Sequence, residues 1–144
     1  MSEPFSNPPL AEIRRLLHDT HSIAVVGLSD NPARPSHRVA SYLLAAGYRI
    51  LPVNPLLETA LGLPCRPDLE SLGETVDMVC IFRRSEEVPP LVEAAIRLGC
   101  RAVWMQDGVA HAEAAQAARA AGLQVVMNDC LLRRHQALLG APGA

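Results

Sequence analysis

With 144 residues, 49% of them hydrophobic and 19% charged, the chain is long enough to bury one proper core and is not disordered in composition. A formal net charge of −2 gives no long-range attraction for nucleic acid or an anionic membrane, and 3% aromatic content argues against a base-stacking platform. All 13 basic residues are arginines, which excludes chemistry that needs a lysine, such as a Walker A phosphate loop or a Schiff base.

The N-terminal stretch MSEPFSNPPL has neither a basic region nor an apolar one, so no secretory signal is expected. No apolar run approaches the ~20 residues that span a bilayer. Cys65, Cys80, Cys100 and Cys130 form no C-x-x-C pair, so neither a zinc knuckle nor a thioredoxin-like motif is present. The expectation is reduced cysteines in a cytoplasmic protein, with no metal site.

Pro8 to Thr20 reads as a leading helix, because Leu10, Ile13, Leu16 and Leu17 recur at helical spacing after two prolines. The run SIAVVG (22–27) is short and continuously apolar, as suits a central strand covered on both faces. A helix is predicted from about His37 to Ala46, capped by Ser36 and ended by Gly47. Three later phrases share one grammar: AAGYRILPV (45–53), RLGCRAVWM (97–105) and AAGLQVVMN (120–128). Each has a helix end, a glycine, a polar residue and an apolar strand, so each marks an α-to-β joint. A further strand, VDMVCIF (76–82), follows a loop over 54–75 rich in Pro, Gly and Leu. Helices are expected over about Ser85–Leu98 and Ala110–Ala121. The tail LLRRHQALLG is amphipathic enough to cover the sheet edge or a partner.

About five apolar strands alternating with helices predict an α/β, three-layer, doubly wound parallel sheet with right-handed crossovers, as one domain over residues 1–144. In such sheets ligands bind outside the carboxyl ends of the strands. The first strand end carries Gly27 and then Ser29, where a dinucleotide fingerprint would place a second glycine. Arg34 can hold a fork of donors over this loop, and the following helix aims its free N–H groups at the same space. A plain surface loop with a capped helix would carry the same residues. The second strand ends in Asn54, where an NAD site carries Asp or Glu for the ribose 2′-OH. An amide there permits a phosphorylated ribose, as in NADP or coenzyme A; equally, Asn54-Pro55 turns the chain. Arg83 and Arg84 follow the third strand, suited to phosphate or to pairing with Glu86 and Glu87. Gln106 follows the fourth, where it could line the crevice.

The segments IAVVGLSDNPARPSHRVASYLLAAGYRILPVNP, VDMVCIFRRSEEV, AVWMQDGV and VVMNDC, in that order and spacing, resemble the small CoA-binding protein family. That family is related to the N-terminal CoA-binding domain of the succinyl-CoA synthetase α subunit. The likeness runs from about Leu16 to Cys130. It implies a Rossmann-like domain binding the 3′-phospho-ADP part of coenzyme A, or of an acyl-CoA, at the strand ends. Carried over by position, Gly27, Leu28, Ser29, Arg34 and Ser36 would hold the phosphates. Val53, Asn54 and Pro55 would flank the adenosine ribose, and Phe82, Arg83 and Gln106 would border the crevice. The chain departs from the family pattern after Asn54-Pro55, where Leu56 and Leu57 replace a basic residue, and in its LLRRHQALLG ending. Arg34, Arg38 or Arg83 would have to supply the missing charge.

No histidine of His18, His21, His37, His111 and His135 has triad-like or metal-like spacing, so no catalysis by the chain alone is expected. The partner is a small nucleotide ligand, with no nucleic acid and no membrane. The alternatives are an NAD(P)-binding enzyme or redox sensor, and a Rossmann-like interaction protein whose ligand site has decayed.

Overall fold

The computed structural model describes residues 4–140. Helix α1 (Leu10–Asp19) leads into β1 (Ser22–Val26), followed by α2 (Pro35–Ala45) and β2 (Arg49–Val53). A small antiparallel hairpin, β3 (Thr59–Ala60) and β4 (Leu63–Pro64), comes next, then a 3-10 turn at Glu70–Leu72 and β5 (Met78–Ile81). A second 3-10 turn, Ser85–Glu87, runs straight into α3 (Val88–Arg97). The chain continues through β6 (Ala102–Met105), α4 (Ala112–Ala120), β7 (Gln124–Val126) and α5 (Leu131–Leu139).

The alternation of side chains along the strands sets the layers. In β1, Ile23 and Val25 pack with Ile13, Leu16 and Leu17 of α1, Val39 and Leu43 of α2, and Leu131 of α5. Ala24 and Val26 point the other way, toward Val88, Val92 and Ala95 of α3 and Ala114, Ala115 and Ala118 of α4. Both faces are therefore covered, which is why the strands are apolar throughout rather than alternating with polar residues. Trp104 in β6 is fully buried, and its Nε1 donates to the Asp129 carbonyl at 2.9 Å. The result is the expected three-layer α/β Rossmann-like fold: a five-stranded parallel sheet in the order β2-β1-β5-β6-β7.

This order puts the switch point at β1 and β5. From β1 the chain crosses by α2 to β2 on one side. It then returns to β5 by a crossover whose Leu69, Leu72 and Val76 belong to the opposite face. Connections leaving to opposite faces open a crevice at the C-terminal ends of β1 and β5.

Three details differ from the sequence expectations. Helix α2 starts at Pro35, not His37, and Ser36 lies inside its first turn rather than at the cap. Proline is favoured at the first helical position because its missing N–H has no partner there and its φ is already helical. The loop over 54–75 contains β3 and β4, strands of two residues each. The C-terminal tail forms α5, which packs on α1 and α2.

At each edge of the sheet a single residue pairs the backbone at the C-terminal end of the edge strand. Beside β2, Arg66 bridges Val53, its N–H donating to Pro52 O at 3.0 Å while Asn54 N–H donates to Arg66 O at 2.9 Å. Pro52 has no N–H for the ladder, which an edge strand tolerates. Beyond β7, the Asn7 side chain accepts from Met127 N–H at 2.8 Å and donates to Met127 O at 2.9 Å. Among the described residues no helix is long and apolar enough to cross a membrane.

Candidate functional site

Gly27 sits where three strand ends converge. Its N–H donates to Val53 O at 2.9 Å, and the neighbouring Phe82 N–H donates to Val26 O at 2.9 Å. Its φ is +87°, and a Cβ built on it would lie 2.6 Å from the Phe82 carbonyl oxygen and 3.2 Å from Arg83 Cδ. Only glycine fits a turn of that hand and that closeness.

The loop after Gly27 orders itself by side-chain acceptors. Ser36 Oγ, buried, accepts from Ser29 N–H at 3.0 Å; Ser29 Oγ accepts from Asn31 N–H at 3.1 Å; Asn31 Oδ1 accepts from Ala33 N–H at 3.0 Å. Ser36 thus fastens the loop back onto α2. Ser29 keeps its hydroxyl proton for an outside acceptor. Leu28 is fully buried, so it offers only backbone. Arg34 and Arg38 project from the start of α2, and among the described residues neither has a carboxylate partner.

Asn54 is engaged with backbone on both sides. Its Nδ2 donates to Leu28 O at 3.0 Å and its Oδ1 accepts from Leu56 N–H at 2.8 Å. It turns the chain and ties the β2 end to the β1 loop. Val53 is buried beside it, and Pro55 is exposed. Arg83 Nη2 bonds Glu87 Oε1 at 2.8 Å, and this guanidinium holds the Glu87 carboxyl below the usual carboxylate range. Gln106 is 4% exposed; its Oε1 accepts from Leu131 N–H at 3.0 Å and faces the buried Cys80 thiol, so it ties β6 to the start of α5.

Two clefts open above these residues and meet at Gly27 and Arg83. One, of 960 Å³, lies between the β1 loop, the β5 and β6 ends and α5. Gly27, Ser29, Arg34, Ser36, Phe82, Arg83 and Gln106 all line it, as do Arg38, Cys130 and Arg133. The other, of 540 Å³, lies between the β2 end and α3; Gly27, Val53, Pro55 and Arg83 line it. Leu28 and Asn54 line neither, acting instead as supports of the loop.

Sequence reasoning passed over one cluster at the rim. Arg133 grips Asp107 with both terminal nitrogens, at 3.0 and 2.9 Å, and reaches Asp129 at 3.0 Å. Arg134 Nε meets the other Asp129 oxygen at 2.6 Å. Arg133 holds the Asp107 carboxyl below its usual range, and the same pair raises the guanidinium. The spacing of Asp129 and Arg133, four apart across a helix start, was the available signal.

Residues 21–136 match the family model described as a CoA binding domain. The chain belongs to the CoA-binding domain family. The uncharacterized protein YneT of Bacillus subtilis is 40% identical over 129 residues, covering 90% of this chain and 96% of that protein. A hypothetical protein of Pyrococcus horikoshii superposes with a TM-score of 0.90 at 36% identity, covering 97% of this chain and 99% of that one. Acetyl-coenzyme A synthetase 1 of Ca. Korarchaeum cryptofilum shares the fold, with a TM-score of 0.69 at 23% identity over 81% of this chain and 28% of that one.

Proposed function

We propose that this CoA-binding domain holds coenzyme A, or an acyl-CoA, by its 3′-phospho-ADP part across the C-terminal ends of the strands, without catalysis by the chain alone. The observation that carries this reading is the meeting of the two clefts at Gly27, with Arg34 and Arg38, which have no carboxylate partner among the described residues, beside it. A diphosphate over Gly27 lies against the first turn of α2, whose Ser36 and His37 N–H groups have no helical acceptor. Ser29 can donate its hydroxyl and Arg34 its guanidinium fork. The adenosine then occupies the cleft at the β2 end and the pantetheine the larger one, toward Cys130. Two of the five histidines have structural partners: His111 Nδ1 accepts from Ala114 N–H as a helix cap, and His135 is buried against Tyr42.

Titration calorimetry with coenzyme A, acetyl-CoA, NAD and NADP tests the reading. One-to-one binding of the CoA compounds is expected, weakened roughly 10- to 150-fold for each arginine removed in Arg34→Ala and Arg38→Ala, since a charge-assisted hydrogen bond contributes roughly 1.5–3 kcal/mol. Binding of nicotinamide nucleotides alone would overturn it.

A further inference from the structure

The two clefts carry opposite charge. Around the larger one, Arg34, Arg38, Arg83, Arg84 and Arg133 stand against one carboxylate, Asp107. Around the smaller, Asp68, Glu70, Glu86, Glu87 and Glu93 stand against Arg83 and Arg97. Arg84, from the neighbouring cleft, also reaches Glu86 at 3.6 Å and Glu87 at 3.7 Å, so five carboxylates against three guanidiniums leave a formal charge of −2 there. Both lining cations are already paired, Arg83 with Glu87 at 2.8 Å and Arg97 with Glu70 at 2.5 Å. Glu93 has no cationic partner among the described residues. Arg66 lines a different groove, along the outer edge of β2.

Of the two, only the acidic cleft has the β2 end, Val53 and Pro55, on its wall. That is where a nucleotide's ribose lies in a doubly wound sheet. The next residues are Leu56, 87% exposed, and Leu57, neither of which can meet an anion. We infer that this cleft disfavours a phosphate on the adenosine ribose. The 3′-phosphate then weakens binding rather than strengthening it, and the better ligand class is an ADP-linked pantetheine with a free ribose, as in dephospho-CoA. The inference rests on the ligand placement proposed above. A ribose phosphate brings roughly −1.5 to −2 charge to a rim that is already negative and whose lining cations, among the described residues, are both paired. Unphosphorylated ribose hydroxyls instead bring donors to a rim of carboxylate acceptors.

The test is titration calorimetry of the full chain with dephospho-CoA and with coenzyme A, at low and at physiological salt, repeated on the Glu86→Gln/Glu93→Gln variant. Both glutamates are exposed, so the variant keeps the core intact. Dephospho-CoA should bind roughly three- to tenfold more tightly at low salt, as expected for partly screened charges at cleft distances. The advantage should shrink in salt and in the variant. Tighter binding of coenzyme A, or an advantage unchanged by removing the two carboxylates, overturns this inference and leaves the site assignment standing. Binding of neither compound overturns both.

Discussion

Replacing Gly27 by alanine tests the convergence of strand ends on which the site depends. Two costs add. A side chain in the left-handed region is strained by about 1–2 kcal/mol. The new Cβ would also lie 2.6 Å from the Phe82 carbonyl oxygen, a backbone atom anchored by the Phe82 N–H to Val26 O bond. Relieving that overlap costs about 1–3 kcal/mol, as for overpacked cores. The sum, about 2–5 kcal/mol, is a large share of the ~5–15 kcal/mol that holds a domain together. At about 2–4 °C per kcal/mol, Tm should fall by about 4–20 °C. Gly47 supplies the control: its φ is +101°, but a Cβ there meets nothing within 4 Å. Gly47→Ala therefore carries the backbone strain without the collision. Urea unfolding followed by circular dichroism measures both variants, and calorimetry with coenzyme A measures binding. Gly27→Ala should be the less stable by about 1–3 kcal/mol and should lose most of its affinity. Equal stability of the two variants would refute the close approach as the reason for glycine.

Ser36→Ala leaves the Ser29 N–H without its acceptor and should cost about 0.5–1.5 kcal/mol in urea unfolding while loosening the phosphate loop, read as weaker ligand binding. Asp129→Asn removes the charge that Arg133 and Arg134 share and should cost about 1–3 kcal/mol, with α5 losing hydrogen-exchange protection first. Burial holds the His135 imidazole below its usual range, so the folded chain keeps the ring neutral while the unfolded chain takes up a proton near ~6.5. Its contribution is therefore full above that pH and is lost as pH falls toward the lower folded value. Urea midpoints should decline between pH 7.5 and 5, and His135→Gln should decline less; identical declines would discount the imidazole.

The sheet was legible because strands covered on both faces must be apolar along their whole length, as SIAVV, MVCI and AVWM are. The α-to-β joints were legible too, since Gly47 at φ +101° leaves its helix in a way few other residues can. The hairpin at β3 and β4 was not, because two-residue strands have no period to detect. Pro35 marked the start of α2 more firmly than Ser36 did, but a serine before a helical run reads equally well as a cap or as a loop fastener. Which of these it is depends on where Ser29 arrives, and that is set by the packing of Leu28. Asn54 and Gln106 illustrate the same limit. Position at a strand end was readable, whereas the partners of an amide are chosen by neighbours far along the chain, Leu28 and Leu131.

The amide of Asn7 against Met127 has a consequence for how the protein behaves in a crowded solution. An open strand edge is a template on which another chain can continue the ladder. Covering it with a further strand would only move the template outward, since that strand has an outer edge of its own. An asparagine side chain uses both of its polar groups on Met127 and presents no repeating row beyond them. The ladder ends on a residue that cannot be copied. Removing residues 1–7 would uncover the β7 end and give the sheet a surface on which copies of the chain could polymerise.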